Sequence, residues 1–260
     1  MVELNRNKVK AYFMGKSQTG PLILAIIGII TVAFVVGIVL LIGALIWYLY
    51  NKFSADLSGE AEVDKTSAYE IEQAKRRAYS KLNVVAEQIQ NVEPVVVSGR
   101  GFEPESPTTQ AINTTKIGRL FKRSALKKSD DPIYMVRIGS DNRFRCSLAS
   151  ITVFMFGETQ LYIYYSNVDL TTGLVYSEGT HEYFYSDINA ISFMQDREKV
   201  YNFKKKKFER ILFESVKVFA SGCYYTASLS TDLEHSVVEK EFTGMRNLIR
   251  DKKNAINANK

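Results

Sequence analysis

The chain has 260 residues, 34 Lys/Arg against 28 Asp/Glu, a net charge of +6 and 46% hydrophobic residues. That length allows one domain with a sizeable core plus an accessory segment. The modest, dispersed positive charge excludes a nucleic-acid domain, which gathers Lys and Arg on one face, and two cysteines, Cys146 and Cys223, exclude a disulfide-dense scaffold.

Residues 1–20 form a basic tail, with Arg6, Lys8, Lys10 and Lys16 against Glu3. From Pro21 to Tyr50 no side chain is charged, and Thr31 is the only polar one before Tyr48. About 20 apolar residues suffice to cross a ~30 Å hydrocarbon core as a helix, so residues 21–50 are predicted to form one transmembrane helix. The run is too long for the apolar core of a cleaved signal peptide. It ends in Trp47-Tyr48-Leu49-Tyr50, an aromatic belt suited to a membrane interface. Two spans cut from the same run would each be too short. Ala33 and Gly37 form a small-xxx-small pair, read either as a helix-packing site or as ordinary composition. Lys and Arg before the run outnumber Lys52 and Lys65 after it. That bias predicts a single-pass membrane protein with its N-terminus inside and its domain outside.

Residues 51–93 are predicted to be a juxtamembrane, coiled-coil-like helix. Ile71, Ala74, Ala78, Leu82, Val85, Ile89 and Val92 recur at spacings of three and four, which puts one apolar stripe on one face, and Pro94 ends it. The stripe packs either on the chain's own domain or on a second copy; Ile71, Ala78, Leu82, Val85 and Ile89 are the oligomerisation candidates. Residues 94–132 read as a short strand, a Pro/Gly-rich linker and a basic amphipathic segment with Lys116, Arg119, Lys122, Arg123, Lys127 and Lys128.

From Ile133 the period changes to that of strands. IYMVRI and RFRCSL flank a Gly139–Asn142 turn; ASITVFMF and QLYIYYS flank a second turn; further strands follow, the last being CYYTASLS after Gly222. Lys204, Lys205, Lys206 and Lys207 fall in a loop between strands. Thr231 and Glu234 have capping-box spacing ahead of a helix with Val238, Phe242, Met245, Ile249 and Ile256 on one face. The expected fold class is membrane-anchored α+β: one transmembrane helix, an amphipathic stalk helix, then about seven antiparallel strands, as a small barrel or sandwich, closed by a C-terminal helix.

That order over residues 133–256, with Asp187, Ile188 and Ile191 at a strand corner, resembles the bacterial pleckstrin-homology-like domains, which are frequently fused to membrane spans. The resemblance implies a binding module. It also implies a phosphate grip by basic residues on the first two strands, here Arg137, Arg143 and Arg145, through bidentate guanidinium hydrogen bonds; a solvated sheet face is the competing reading. Lys204–Lys207 would either face an anionic leaflet or keep a strand edge from pairing. The Trp usual in the closing helix of eukaryotic members is missing, since Trp47 is the only one.

No P-loop, G-x-G-x-x-G or G-x-S-x-G is present. His181 and His235 have no Cys, Asp or Glu at metal spacing and read as surface residues. The expected function is therefore non-enzymatic, without cofactor or metal: a membrane-held scaffold or sensor for lipid headgroups or a protein partner. The alternative is a bitopic envelope or secretion subunit whose stalk oligomerises outside. Partners would be the lipid bilayer and a protein or second copy, not nucleic acid.

Overall fold

The computed structural model describes residues 3–14, 19–31, 35–82, 93–101, 135–141, 143–202, 207–229 and 235–258. Three helices open the chain: α1 (Arg6–Met14), α2 (Thr19–Ile30) and α3 (Val35–Leu82). Nine strands follow among the described residues: β1 (Val95–Arg100), β2 (Val136–Ile138), β3 (Phe144–Cys146), β4 (Leu148–Phe156), β5 (Gln160–Asp169), β6 (Val175–Phe184), β7 (Ile188–Asn202), β8 (Lys207–Ala220) and β9 (Cys223–Leu229). A last helix, α4 (His235–Ala258), ends the description.

The apolar run does not make one span. It turns at Thr31 into two helices that pack on each other, α2 and the start of α3. At 1.5 Å per residue, the 12 residues of α2 reach about 18 Å and the apolar part of α3, Val35–Tyr50, about 24 Å. Both fall short of a ~30 Å hydrocarbon core. Among the described residues no helix is long and apolar enough to cross a membrane. The expected fold class and the single-pass localisation are corrected on that ground: the amino-terminal element is a helical hairpin.

The predicted topology fails with it. Helix α1 folds back along α3 and onto the β domain, so the basic tail and the domain lie on the same side of the helical hairpin. Val9, Tyr12 and Phe13 of α1 are buried with Val63 of α3, Ala149 of β4 and Leu170. A Cβ on Gly59 would lie 2.8 Å from Cβ of Tyr12, so glycine permits the close approach of α1.

The strands form a four-stranded sheet, β1-β4-β5-β6, a three-stranded sheet, β7-β8-β9, and the short pair β2-β3, all antiparallel. The two larger sheets face each other. Phe154, Phe156, Leu161 and Ile163 from one meet Val216, Val218, Ala227 and Leu229 from the other, and α4 closes the open end with Phe242, Met245 and Ile249. Every residue of β4 is buried, because its second face is covered too. Ile151, Val153 and Met155 pack against Ala74, Ala78 and Leu82 of α3. The predicted helical stripe is thus spent on the chain's own sheet; Val85 and Ile89 lie outside the described residues.

Candidate functional site

The helical hairpin is the part of the molecule whose surface its own fold does not explain. Leu22, Ile23, Ile26, Ile27, Ile29 and Ile30 on α2, and Ile38, Val39, Ile42, Leu45, Ile46, Trp47, Tyr48, Leu49 and Tyr50 on α3, are all exposed, Ile30 to 76%. On α2, and on α3 up to Ile46, they cover the broad side opposite Pro21, Gly28, Gly37 and Ala44, which are buried. Contiguous apolar surface on this scale marks an interaction site.

The two helices are joined through glycine. A Cβ on Gly20 would lie 2.7 Å from the Trp47 ring, and one on Gly28 would lie 2.9 Å from Leu41 and 3.2 Å from the Gly37 carbonyl. Small residues let backbones approach and replace side-chain interlocking. Gly37 therefore packs within its own chain, while Ala33 lies outside the described residues. At the tip, the Thr31 hydroxyl donates to the Ile27 carbonyl at 2.8 Å, and the Thr31 N–H donates to the same oxygen at 3.0 Å.

Below the helical hairpin, α3 continues as the same helix of 48 residues, and a set of charged groups clamps it to the β domain. Arg145 is the centre. Its Nε and Nη2 donate to Asp64 Oδ1 and Oδ2, each at 2.7 Å, and its Nη1 and Nη2 donate to Asp141 Oδ1 and Oδ2 at 2.9 and 2.8 Å. The hydrogen bonds from Arg145 hold the Asp141 carboxyl well below the usual carboxylate range, while Asp141 and then Asp64 push the guanidinium up. Glu60, buried on the same helix, accepts from Ser140 N and Oγ, both at 2.7 Å. Arg6 of α1 donates to Glu70 Oε1 at 2.6 Å and to the Leu170 carbonyl at 3.1 Å. Burial pushes the Tyr12 hydroxyl up to about 12.

These contacts occupy the arginines named from sequence. Arg137 and Arg145 are cross-strand partners on β2 and β3, as the hairpin reading requires. Yet Arg145 is turned onto Asp64 and Asp141, and Arg137 donates to the Tyr12 carbonyl and lies 4.4 Å over the Tyr12 ring. Arg143 precedes β3, is exposed, and has Asp141 at 3.8 Å. A joint phosphate grip by the three is not assembled in this arrangement. Lys207 begins β8 opposite Asn202; Lys204, Lys205 and Lys206 lie outside the described residues, as do residues 116–128 and the Thr231–Glu234 capping box.

Other parts of the molecule also bear on chemistry. His181 is not a simple surface residue: it stacks between Tyr165 and Tyr183, with ring centroids at 5.5 and 5.9 Å, beside Tyr225, whose hydroxyl meets Thr152 Oγ1 at 2.7 Å. Cys146 is buried and free, its thiol pushed up to about 12 by burial, and Cys223 is exposed and free. A cavity of about 80 Å³ lies among Asp64, Ser67, Arg100, Arg145 and Phe213, room for a few waters. A wider groove of about 590 Å³ runs between β7 and α4 past Arg246, Arg250 and Lys253. Among the described residues no His/Cys/Asp/Glu group has metal-site geometry.

Comparison with family models, with curated proteins and with solved structures returns no match to this chain.

Proposed function

We propose that this protein is a non-enzymatic scaffold: a pleckstrin-homology-like β domain carried on a helical arm whose apolar end attaches it to a partner surface. The observation that carries the reading is the continuity of α3. One helix of 48 residues, about 72 Å by its rise, begins in the exposed helical hairpin and ends against β4 and β5. An attachment element joined by a flexible linker would hold a domain near a surface. An unbroken helix clamped through Asp64, Glu60 and Glu70 fixes its height and orientation as well.

The pleckstrin-homology-like part of the reading is supported by strand order. The antiparallel strands β4 to β9 closed by a terminal helix agree with the order that the resemblance implies, whereas β2 and β3, its first two strands, form a separate pair and β1, which precedes residue 133, completes the four-stranded sheet. The headgroup-sensor version has less behind it, since Arg137 and Arg145 are held by Tyr12, Asp64 and Asp141. The stalk-oligomer alternative has less too, because Ile71, Ala78 and Leu82 pack on the sheet.

The test replaces residues 20–46 with a short Gly/Ser link in the otherwise full chain and measures mass by light scattering and unfolding by circular dichroism. The expected result is a chain that keeps its cooperative β-domain transition and loses self- or detergent-association. Unchanged association would overturn the scaffold reading.

A further inference from the structure

The partner surface that the arm fits is one leaflet of a lipid bilayer, which we propose the helical hairpin enters and leaves from the same side without crossing. This inference rests on the scaffold reading above and names its partner.

Four observations select lipid over a second protein. The first is the shape of the apolar surface. A protein partner or second copy covers one face of a helix pair, and the remaining face is then polar. Here Leu22, Ile26 and Ile29 on α2 and Ile38, Ile42 and Ile46 on α3 are exposed, and the residues that complete the turns between them, half-buried or buried where the two helices meet, are apolar as well, so both helices are apolar all round. Hydrocarbon is the medium that surrounds a helix on all sides.

The second is polar satisfaction. In hydrocarbon every backbone group has to be paired within the segment. The interiors of α2 and α3 do this by helical bonding, and at the end of α2 Thr31 gives both its N–H and its hydroxyl to the Ile27 carbonyl. The one polar side chain of the apolar run before Tyr48 thus carries its own acceptor.

The third is level. Trp47 packs on Gly20, which puts the start of α2 beside the Trp47-Tyr48-Leu49-Tyr50 segment of α3. Aromatic rings with a polar edge collect where hydrocarbon meets headgroups. The interface therefore cuts both helices at one height, with the Thr31 turn as the deep end. The depth available, about 18 Å for α2, suits half of a ~30 Å core plus the interfacial zone.

The fourth is topology. Arg6 is bonded to Glu70 and Leu170, and Lys65 Nζ donates to the Glu3 carbonyl at 2.6 Å. The segment before the helical hairpin and the domain after it are one folded body, so both stand on the same side. Lys8 and Lys10 of α1 are exposed there.

Two measurements on the full chain test this. Flotation with pure phosphatidylcholine vesicles is compared between the intact chain and the chain lacking residues 20–46; the intact chain is expected to float and the shortened one to stay at the bottom. Topology is read with single cysteines, Lys10→Cys on α1 and Glu158→Cys at the β4–β5 turn, each in a Cys223→Ser background. An impermeant maleimide added outside preformed vesicles is expected to label both sites to the level seen after detergent lysis. Labelling of only one site before lysis would show crossing and overturn the proposal. Failure to float, with hairpin-dependent association still seen by light scattering, would overturn the bilayer and leave the scaffold reading standing. Indifference of both measurements to loss of residues 20–46 would overturn both.

Discussion

Arg145 on β3 meets Asp64 on α3 across two parallel hydrogen bonds of 2.7 Å, with the arginine side chain 5% exposed and the aspartate 50%. The pair is unequal: the cation is inside and the anion at the rim. Removing Asp64 alone leaves Arg145 with Asp141, whereas removing both carboxylates strands a buried guanidinium. The cost of an uncompensated buried charge is about 3–5 kcal/mol, while a rim pair contributes up to about 1 kcal/mol. Asp64→Asn is therefore expected to lower stability by about 1 kcal/mol and Asp64→Asn/Asp141→Asn by about 3 kcal/mol or more. Arg145→Met, which removes the buried charge itself, should fall between them. Urea unfolding of the three variants checks the order.

The same site sets an acid response. Asp141 titrates lower in the folded chain than in the unfolded one because Arg145 donates to it. Its stabilising effect is then complete above the ordinary carboxylate value of about 4, and is lost as pH falls toward the depressed folded value. The stability gap between the wild type and Asp141→Asn should be widest near neutral pH and close progressively below about pH 4. Paired urea titrations across that range measure it, and a gap that widened in acid would refute the assignment. Asp141 is 38% exposed, so screening makes the effect small and salt-sensitive.

The sheets meet where β1 passes β9, and Gly99 makes that possible. A Cβ there would lie 2.6 Å from the Ser228 carbonyl carbon and 2.7 Å from its oxygen. These are backbone atoms, which have no rotamer to change. Gly99→Ala should cost about 1–3 kcal/mol, the range for overpacking, read as a drop in urea midpoint. Gly222 is the contrasting case: its Cβ would meet nothing within 4 Å, but its φ is +82°. Gly222→Ala should cost about 1 kcal/mol through backbone conformation alone, with Gly222→Asn losing less.

Local pattern was a good guide wherever one element answers to one face. The Ile71, Ala74, Ala78, Leu82 stripe forms one face of a helix, as its spacing implies, and β4 and β5 fall on the runs whose composition marks them as strands. Local pattern fails at the helical hairpin for a physical reason. A turn usually shows itself by Gly, Pro, Asn or Asp, whereas this one sits in an apolar run with Thr31 as its one hint. What decides the topology is long-range: Arg6 with Glu70 and Arg137 with the Tyr12 carbonyl join residues far apart in the chain, and no window contains both partners. The arginines misled in a related way. Residues 143 and 145 share a face only within a strand, and β3 begins at Phe144; Arg143 lies outside it and Arg145 inside. His181 likewise falls on the inward side of β6, opposite Ile163, a fact that register and not sequence supplies.

Ala78 offers the sharpest test of whether the α3 stripe serves the domain. It is fully buried beside Ala74 and Leu82, facing Ile151, Val153, Met155, Tyr164 and Val168. On the flank of that contact the Tyr164 hydroxyl donates to Glu178, Arg77 Nε donates to the Tyr164 oxygen at 3.0 Å, and Lys81 lies 3.2 Å from Glu178. Ala78→Leu adds volume against neighbours that are already fully buried, so α3 must lift from β5 and strain these bonds. Stability should fall by about 1–3 kcal/mol, and amide exchange should quicken in α3 near Ala78. A stripe that instead bound a second copy would respond differently. Leucine there would strengthen the helix pairing and raise the apparent mass in light scattering, without loosening β4 and β5.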